Sequence, residues 1–369
     1  MSDARKVLLG DLLKATSRSF YLTLRVLPAA VRPQIGLAYL LARTTDTIAD
    51  TEIIPVAQRL AALQALSARI ASTASKIPLE LIGSNGERVR AENANPTPAA
   101  PLDFGELARQ QGLPAERVLL EKVEDSLALL RELAPEDLPV VRTVLQIITS
   151  GQELDLRRFA GASEQKIIAL QTETELDDYT YRVAGCVGEF WTKMCRGHLF
   201  PGDRLDDRQL LADGIRFGKG LQLCNILRDL PADLRNGRCY LPRETMMAAG
   251  LTPENLLAPA SEPKFLPYYH QYLDLAEGHL RAGWEYTNTL PRRCGRVRLG
   301  CAWPILIGLR TIEKLRAARV PEIQQRVKVP RPEVYKIIFR SLWSHPFPNT
   351  WQKQVKSGGK AVAPGEKLA

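Results

Sequence analysis

Two aspartate pairs share one spacing on two apolar stretches, Asp46-x-x-x-Asp50 and Asp229-x-x-x-Asp233. Residues four apart on a helix lie on one face, so each pair aims two carboxylates in one direction. Like charges side by side destabilise a helix unless a cation offsets them. Mg²⁺ suits such a donor set, because it takes hard oxygen ligands and is commonly shared between carboxylates and substrate phosphates. The spacing therefore predicts a chain that holds diphosphate groups through bridging magnesium.

The neighbours of each pair fit that chemistry. Tyr39, Arg43, Asp46 and Asp50 follow steps of four, three and four, and Gln222, Asn225, Asp229 and Asp233 steps of three, four and four. Each set makes one polar stripe on a helix that is otherwise apolar. Asn225 offers a third oxygen to a metal, Arg228 borders the acids, and Arg235 and Arg238 follow them with positive charge that a diphosphate would draw. An ordinary exposed face with an Arg43–Asp46 pair is the plainer alternative for the first stripe taken alone. Pro231 lies between the two acids of the second stripe and is expected to kink or end that helix.

Two further stretches carry possible site residues. In DDYTYRVAGCVGEFW (177–191), the small residues Ala184, Gly185 and Gly188 interrupt a helical pattern at a cost of about 1 kcal/mol per glycine. Close helix packing and the lining of a cavity are equally good reasons for them, and Tyr179, a turn before Val183, would face the same side. In SRSFYLTLRVLP, residues Ser17, Arg18, Ser19 and Phe20 precede an apolar run. Their hydroxyls can cap a helix or hold phosphate oxygens.

The elements that must position these groups are helices. Apolar periodicity places them over 4–16, 34–52, 56–75, 115–131, 136–150, 164–173, 176–198, 207–229, 243–249, 264–289, 298–318 and 331–344, with little strand-like alternation, so the fold class is all-α. One domain over 1–350 is expected. Residues 82–103, rich in Gly, Asn, Pro and Ala, read as a loop insertion, and 353–369 as a disordered basic tail. The two acid stripes are expected on opposed helices serving one site.

Composition sets outer limits. With 369 residues and a net charge of +9, the chain suits an anionic partner, whether nucleic acid, acidic membrane or phosphorylated substrate. Six cysteines without a C-x-x-C spacing read as reduced core residues. The N-terminus lacks a signal-peptide pattern and no run reaches the length of a membrane span, so a cytoplasmic protein, at most peripheral to a membrane, is expected. A basic helical scaffold for membrane or nucleic acid would show clustered cations with interleaved aromatics. Only 292–298 (RRCGRVR) has that look, and it leaves the acid pairs unexplained.

Taken in order, SRSFYLTLRVLP (17–28), YLLARTTDTIAD (39–50), YTYRVAGCVGEF (179–190) and LQLCNILRDLPAD (221–233) resemble the squalene/phytoene synthase family over roughly residues 10–320. The resemblance implies a single isoprenoid-synthase helical bundle around a deep central cavity, with two Asp-rich helices that bind two prenyl diphosphates through Mg²⁺. It implies metal ligation by Asp46, Asp50, Asn225, Asp229 and Asp233, and a catalytic role for those aspartates and for Tyr179 near the reacting carbons. Ser17, Arg18, Ser19, Phe20, Tyr39, Arg43, Val183, Gly188, Gln222, Asn225, Arg228 and Arg238 fall at positions implied to contact substrate.

Within the family, Thr47 in RTTDTIADT resembles squalene synthases, where phytoene and dehydrosqualene synthases more often carry an adjacent Asp pair. Thr51 departs from the further Asp usual in eukaryotic enzymes. The implied reaction joins two farnesyl diphosphates through presqualene diphosphate and ends in NADPH-dependent reduction to squalene. No nucleic acid is involved, and contact with a membrane would serve product release. Phytoene, dehydrosqualene or hydroxysqualene synthesis without NADPH is the alternative. No Gly-rich dinucleotide fingerprint is present, so NADPH would meet Arg18 and the late basic residues Arg326, Lys328 and Arg331.

Overall fold

The computed structural model describes residues 3–17, 20–73, 80–82, 88–90 and 104–355. Arg18, Ser19, most of the expected 82–103 insertion and most of the expected basic tail lie outside them. The described chain is helical, with four short strands of two or three residues. Among the described residues no helix is long and apolar enough to cross a membrane.

The chain divides into two compact units, one of 1–21 with 31–157 and one of 22–30 with 158–369. The helices used below are α1 (Arg32–Asp50), α2 (Val56–Ser72) and α3 (Asp137–Arg158), then α4 (Glu173–Thr180), α5 (Cys186–Leu199), α6 (Asp207–Arg235), α7 (Glu262–Thr289), α8 (Gly295–Ala317), α9 (Val320–Gln324) and α10 (Arg331–Ser344).

In the first unit, α1 starts with Pro33 in its first turn, where a missing N–H costs nothing. It buries Ile35, Leu37, Leu40, Leu41 and Ile48. Its C-terminal carbonyls would be orphaned without partners. Buried Arg59 of α2 donates Nη1 to the Ala49 carbonyl at 2.7 Å, and Thr51 donates Oγ1 to the Thr47 carbonyl at 2.6 Å. Gln111 holds the Thr51 hydroxyl in turn at 3.0 Å. Thr51, the departure from the eukaryotic pattern, is thus spent on fixing the helix end that carries Asp46 and Asp50. At the edge of the expected insertion, β1 (Glu80–Ile82) pairs antiparallel with β2 (Arg88–Arg90), a pairing that loop-like composition concealed.

In the second unit, α6 runs on through Pro231 to Arg235, which corrects the expectation that the helix stops there. Proline removes the N–H that would reach the Leu227 carbonyl. The Tyr269 hydroxyl from α7 donates to that carbonyl instead, at 2.8 Å, so the buried acceptor is satisfied and the helix continues. The α5–α6 crossing is close. A Cβ on Gly188 would lie 1.8 Å from the Gly214 carbonyl oxygen, and one on Gly218 2.0 Å from that of Ala184. Gly188 therefore serves backbone-to-backbone packing, while a Cβ on Gly185 would meet the side chains of Tyr181, Ile215 and Lys219.

The expected helix over 164–173 does not form. Instead β3 (Ile168–Ala169) runs parallel to β4 (Arg238–Cys239). Ile168 N–H donates to the Gly237 carbonyl at 2.8 Å and Leu170 N–H to that of Cys239 at 3.0 Å. A long-range pairing satisfies the backbone here, and β-branched Ile167 and Ile168 suit it. Gly237 enters β4 at φ 73°, a left-handed turn that glycine takes without steric cost. All six cysteines are free and buried, as expected of core residues.

Candidate active site

Asp46 and Asp50 occupy the last turns of α1, and Asp229 and Asp233 the last turns of α6. A helix C-terminus already carries partial negative charge, so acids there are disfavoured twice, by the macrodipole and by each other. Burial pushes the Asp46 carboxyl up to about 6, the Asp50 charge adds to the rise, and Arg43 and Gln152 pull against it. Nearly half of the Asp46 side chain (47%) remains open, which tempers that rise and leaves the carboxylate reachable.

The rest of the first stripe is held by local contacts. Arg43 reaches Asp46 at 3.6 Å and donates to Glu116. Burial works against its charge, but Asp46 and Glu116 outweigh burial and hold it cationic. Gln152 of α3 donates Nε2 to Asp46 Oδ1 at 2.5 Å. Tyr39 donates to the Thr16 carbonyl at 3.2 Å and stacks on Phe20 with ring centroids 5.5 Å apart. Ser17 donates to the Leu13 carbonyl at 2.5 Å, so its hydroxyl closes a helical turn and does not cap a helix start.

The second stripe is richer in cations. Arg228 grips both oxygens of Asp229, with Nε on Oδ1 at 3.0 Å and Nη2 on Oδ2 at 2.5 Å. The bond to Asp229 raises the Arg228 pKa, outweighing burial. Arg326, past the end of α9, adds a guanidinium 2.9 Å from Asp229 Oδ1. Asn225 is exposed one turn before Asp229 and donates weakly to Gln222 Oε1 at 3.5 Å. Arg238 lies in β4, immediately after the acids.

Tyr179 lies in the last turn of α4, whose start Thr172 caps by accepting from the Glu175 N–H at 3.2 Å. It is buried and stacks on Tyr240 at 4.6 Å, and Phe159 meets Tyr240 edge-on at 5.3 Å. The next turn, Tyr181–Gly185, is a π-helix that includes Val183. Such bulges reorient side chains and recur at functional sites.

The sequence reading missed Glu116, Gln152, Tyr240 and Phe159. No spacing rule links Gln152 to Asp46, because they meet only through folding. Tyr240 lies two residues after Arg238 and could have been noted as an aromatic beside a basic position. The late basic residues have different surroundings. Arg326 turns to Asp229, while Lys328 and Arg331 are exposed. The 292–298 run is likewise dispersed. Arg293 pairs with Asp203, Arg296 donates to the Val26 carbonyl, and Arg298 is buried over the Trp351 ring.

This architecture is an all-α isoprenoid-synthase fold. The structure of TcSQS with the ligand E5700 superposes with a TM-score of 0.70 at 20% identity, covering 92% of this chain and 86% of that one. Squalene synthase HpnC from Alicyclobacillus acidocaldarius gives 0.57 at 18% identity, covering 86% and 96%. The chain belongs to the squalene/phytoene synthase family, whose model matches residues 13–333. Presqualene diphosphate synthase of Zymomonas mobilis is 28% identical over 75% of this chain and 74% of that protein. Its counterpart from Sinorhizobium fredii is 29% identical over 76% and 78%. The match to the bifunctional lycopene cyclase/phytoene synthase of Phaeosphaeria nodorum, 28% identical over 66% of this chain, spans about a third (35%) of that longer protein.

Proposed function

We propose that the protein condenses two molecules of farnesyl diphosphate head to head into presqualene diphosphate and reduces that product to squalene with NADPH. The observation that carries the condensation is the placing of both acid pairs at helix C-termini, each with a guanidinium beside it. The donor set fits magnesium. It is all hard oxygen, and the Asp50 charge adds to the burial that already raises the Asp46 carboxyl, a crowding that a divalent cation would relieve. Asp46 and Asp50, and Asp229 and Asp233 with Asn225, would hold it. Bound magnesium supplies charge to the departing diphosphate.

The protein's own groups do the rest. Arg43, Arg228 and Arg326 draw phosphate oxygens to the acid pairs. The carbon–oxygen bond of one diphosphate breaks, carbon–carbon bonds form to the second prenyl chain, and a proton leaves. The buried rings of Tyr179 and Tyr240 offer their faces to an allylic cation and exclude water from it.

For the reduction, Thr47 in RTTDTIADT is the supporting feature. No side chain is assigned to that step. A second reading, in which the reaction stops at presqualene diphosphate, is favoured by the two relatives named for that product that cover three-quarters of both chains.

The deciding experiment incubates pure protein with farnesyl diphosphate and Mg²⁺, with and without NADPH, and identifies the products. Squalene with NADPH, and presqualene diphosphate or its solvolysis products without it, is the expected result. Presqualene diphosphate in both arms selects the second reading. Dehydrosqualene or hydroxysqualene formed at the same rate in both arms overturns the squalene assignment. No condensation product in either arm overturns both readings.

A further inference from the structure

Helix α10 presents an unusual outward face. Tyr335 is 63% exposed, Phe339 73%, Leu342 48% and Trp343 63%, and Phe347 just past the helix is 52% exposed. Five of the eleven large apolar side chains that stand exposed among the described residues thus fall within thirteen positions. At 3.6 residues per turn, Leu342, Tyr335, Phe339 and Trp343 share an arc of roughly 100°. Arg331 borders the arc on one side, and Lys336 and Arg340 on the other. The only acid of the helix, Glu333, turns inward to Arg310 and Lys314.

This face is held firmly from behind. Ser341 and Ser344 are fully buried, and Gln354 donates to the Ser344 hydroxyl at 2.7 Å. Trp351, buried after the next turn, stacks on Trp284 of α7 at 5.1 Å, and its Nε1 donates to Asn288 at 2.8 Å. The inward side is therefore satisfied, and the aromatic side is left outward by construction. Exposed apolar patches of this kind mark interaction sites.

We infer that the outward face of α10 docks the protein on an anionic lipid surface, lying in the interface with Tyr335, Phe339, Leu342 and Trp343 inserted. Aromatic rings belong at the boundary between headgroups and acyl chains. Flanking cations with long stems reach the phosphates while their methylenes follow the rings. The chain as a whole is cationic at +9, and the sequence past the helix adds Lys353, Lys356, Lys360 and Lys367 against Glu366 alone. A second copy of the chain is a poorer occupant. A twofold pairing of this face would bring Arg331, Lys336 and Arg340 near their own copies, with no acid on the face to balance them. The inference adds to the reaction proposed above, and its test needs no substrate, so either can fail alone.

The test is flotation of the full chain with phosphatidylcholine vesicles, with and without phosphatidylglycerol, while tryptophan emission is recorded. The double variant F339E/W343E and the charge variant K336Q/R340Q are run beside it, with the sedimentation state of each measured without lipid. Expected are binding about tenfold tighter to the anionic vesicles and a blue shift of emission on binding. F339E/W343E should lose binding to both vesicles, and K336Q/R340Q the anionic preference, with melting temperatures unchanged. Binding that survives F339E/W343E overturns the inference. So does wild-type protein that floats with neither vesicle. If in that case the wild type is a dimer and F339E/W343E a monomer, the face joins two copies of the chain instead.

Discussion

Arg326 meets Asp229 from a left-handed backbone: φ is 61° and the guanidinium lies 2.9 Å from Oδ1. It is the only non-glycine residue with positive φ among the described residues. That conformation costs about 1–2 kcal/mol. A half-exposed ion pair contributes less than about 1 kcal/mol, so the pair alone does not offset the strain. Strained residues that persist tend to serve a site. Arg326→Gly should therefore leave the melting temperature unchanged or higher, while raising KM for the diphosphate substrate several-fold. Denaturation and steady-state kinetics on the same preparation check this. A fall in stability with unchanged KM would show that Arg326 only fastens α9 to α6.

The acid pairs, their flanking arginines and the long helices were legible in the sequence because each rests on local spacing. The periodicity over 34–52 and 264–289 matches Arg32–Asp50 and Glu262–Thr289 within two residues. What failed depended on partners far along the chain. Pro231 reads as a breaker until Tyr269 supplies the missing donor. Residues 164–173 read as a helix until Gly237 and Cys239 offer their carbonyls. Gln152 and Glu116 were invisible because nothing in their neighbourhoods signals Asp46 or Arg43. The helix over 331–344 was legible as periodicity, but its outward aromatic face was not. Helical periodicity reveals an apolar stripe but not whether it faces inward.

Asp46→Asn tests the cost of the first acid pair. Removing a crowded charge beside Asp50 at a helix C-terminus should stabilise the metal-free protein. In EDTA at neutral pH the variant is expected to melt at or above the wild type. Added Mg²⁺ should raise the wild-type melting temperature and leave that of the variant nearly fixed, and turnover should fall by at least about a hundredfold. A variant that melts well below the wild type in EDTA would mean that Asp46 is a structural partner of Arg43 and Gln152. Asp229→Asn should lose turnover similarly, but without the gain in stability, because it strips two arginines of their partner.

Tyr179→Phe keeps the ring that stacks on Tyr240 and removes only the hydroxyl. If Tyr179 acts on the reacting carbons, kcat should fall by about tenfold or more while KM changes little, the pattern of a contact made in the transition state. The melting temperature should move little, because the stacked ring stays in place. Parallel losses of stability and activity would mark a packing residue instead.

His279 gives a pH dependence with a definite sign. Burial, reinforced by Arg216 and Lys219, lowers its folded pKa from 6.5 to about 4. Its Nδ1 accepts from Arg216 Nε at 3.4 Å, which favours the neutral ring. Below about pH 6.5 the unfolded chain takes up a proton that the folded one refuses, so the stability due to this group is lost progressively as pH falls toward 4. Urea unfolding from pH 7 to 4.5 should show that loss, and His279→Gln should flatten it. An unchanged acid limb in the variant would assign the loss to other groups.

Glycines of the helices that carry the site predict opposite signs for one substitution. Gly218→Ala would put a Cβ 2.0 Å from the Ala184 carbonyl oxygen, and Gly188→Ala one 1.8 Å from that of Gly214. Backbone cannot move aside as a side chain can, so α6 must shift away from the π-helical turn or from α5. Each change should destabilise by about 1–3 kcal/mol or more, and because α6 carries Asp229 and Asp233, turnover should fall with it. Gly278→Ala, in α7, meets nothing within 4 Å. There the gain in helix propensity acts alone and should stabilise by about 0.5–1 kcal/mol. Chemical denaturation of the three variants checks the contrast. Wild-type stability in Gly218→Ala would mean that the two backbones are not pressed together at this crossing, and the account of why the small residues stand in this segment would fall.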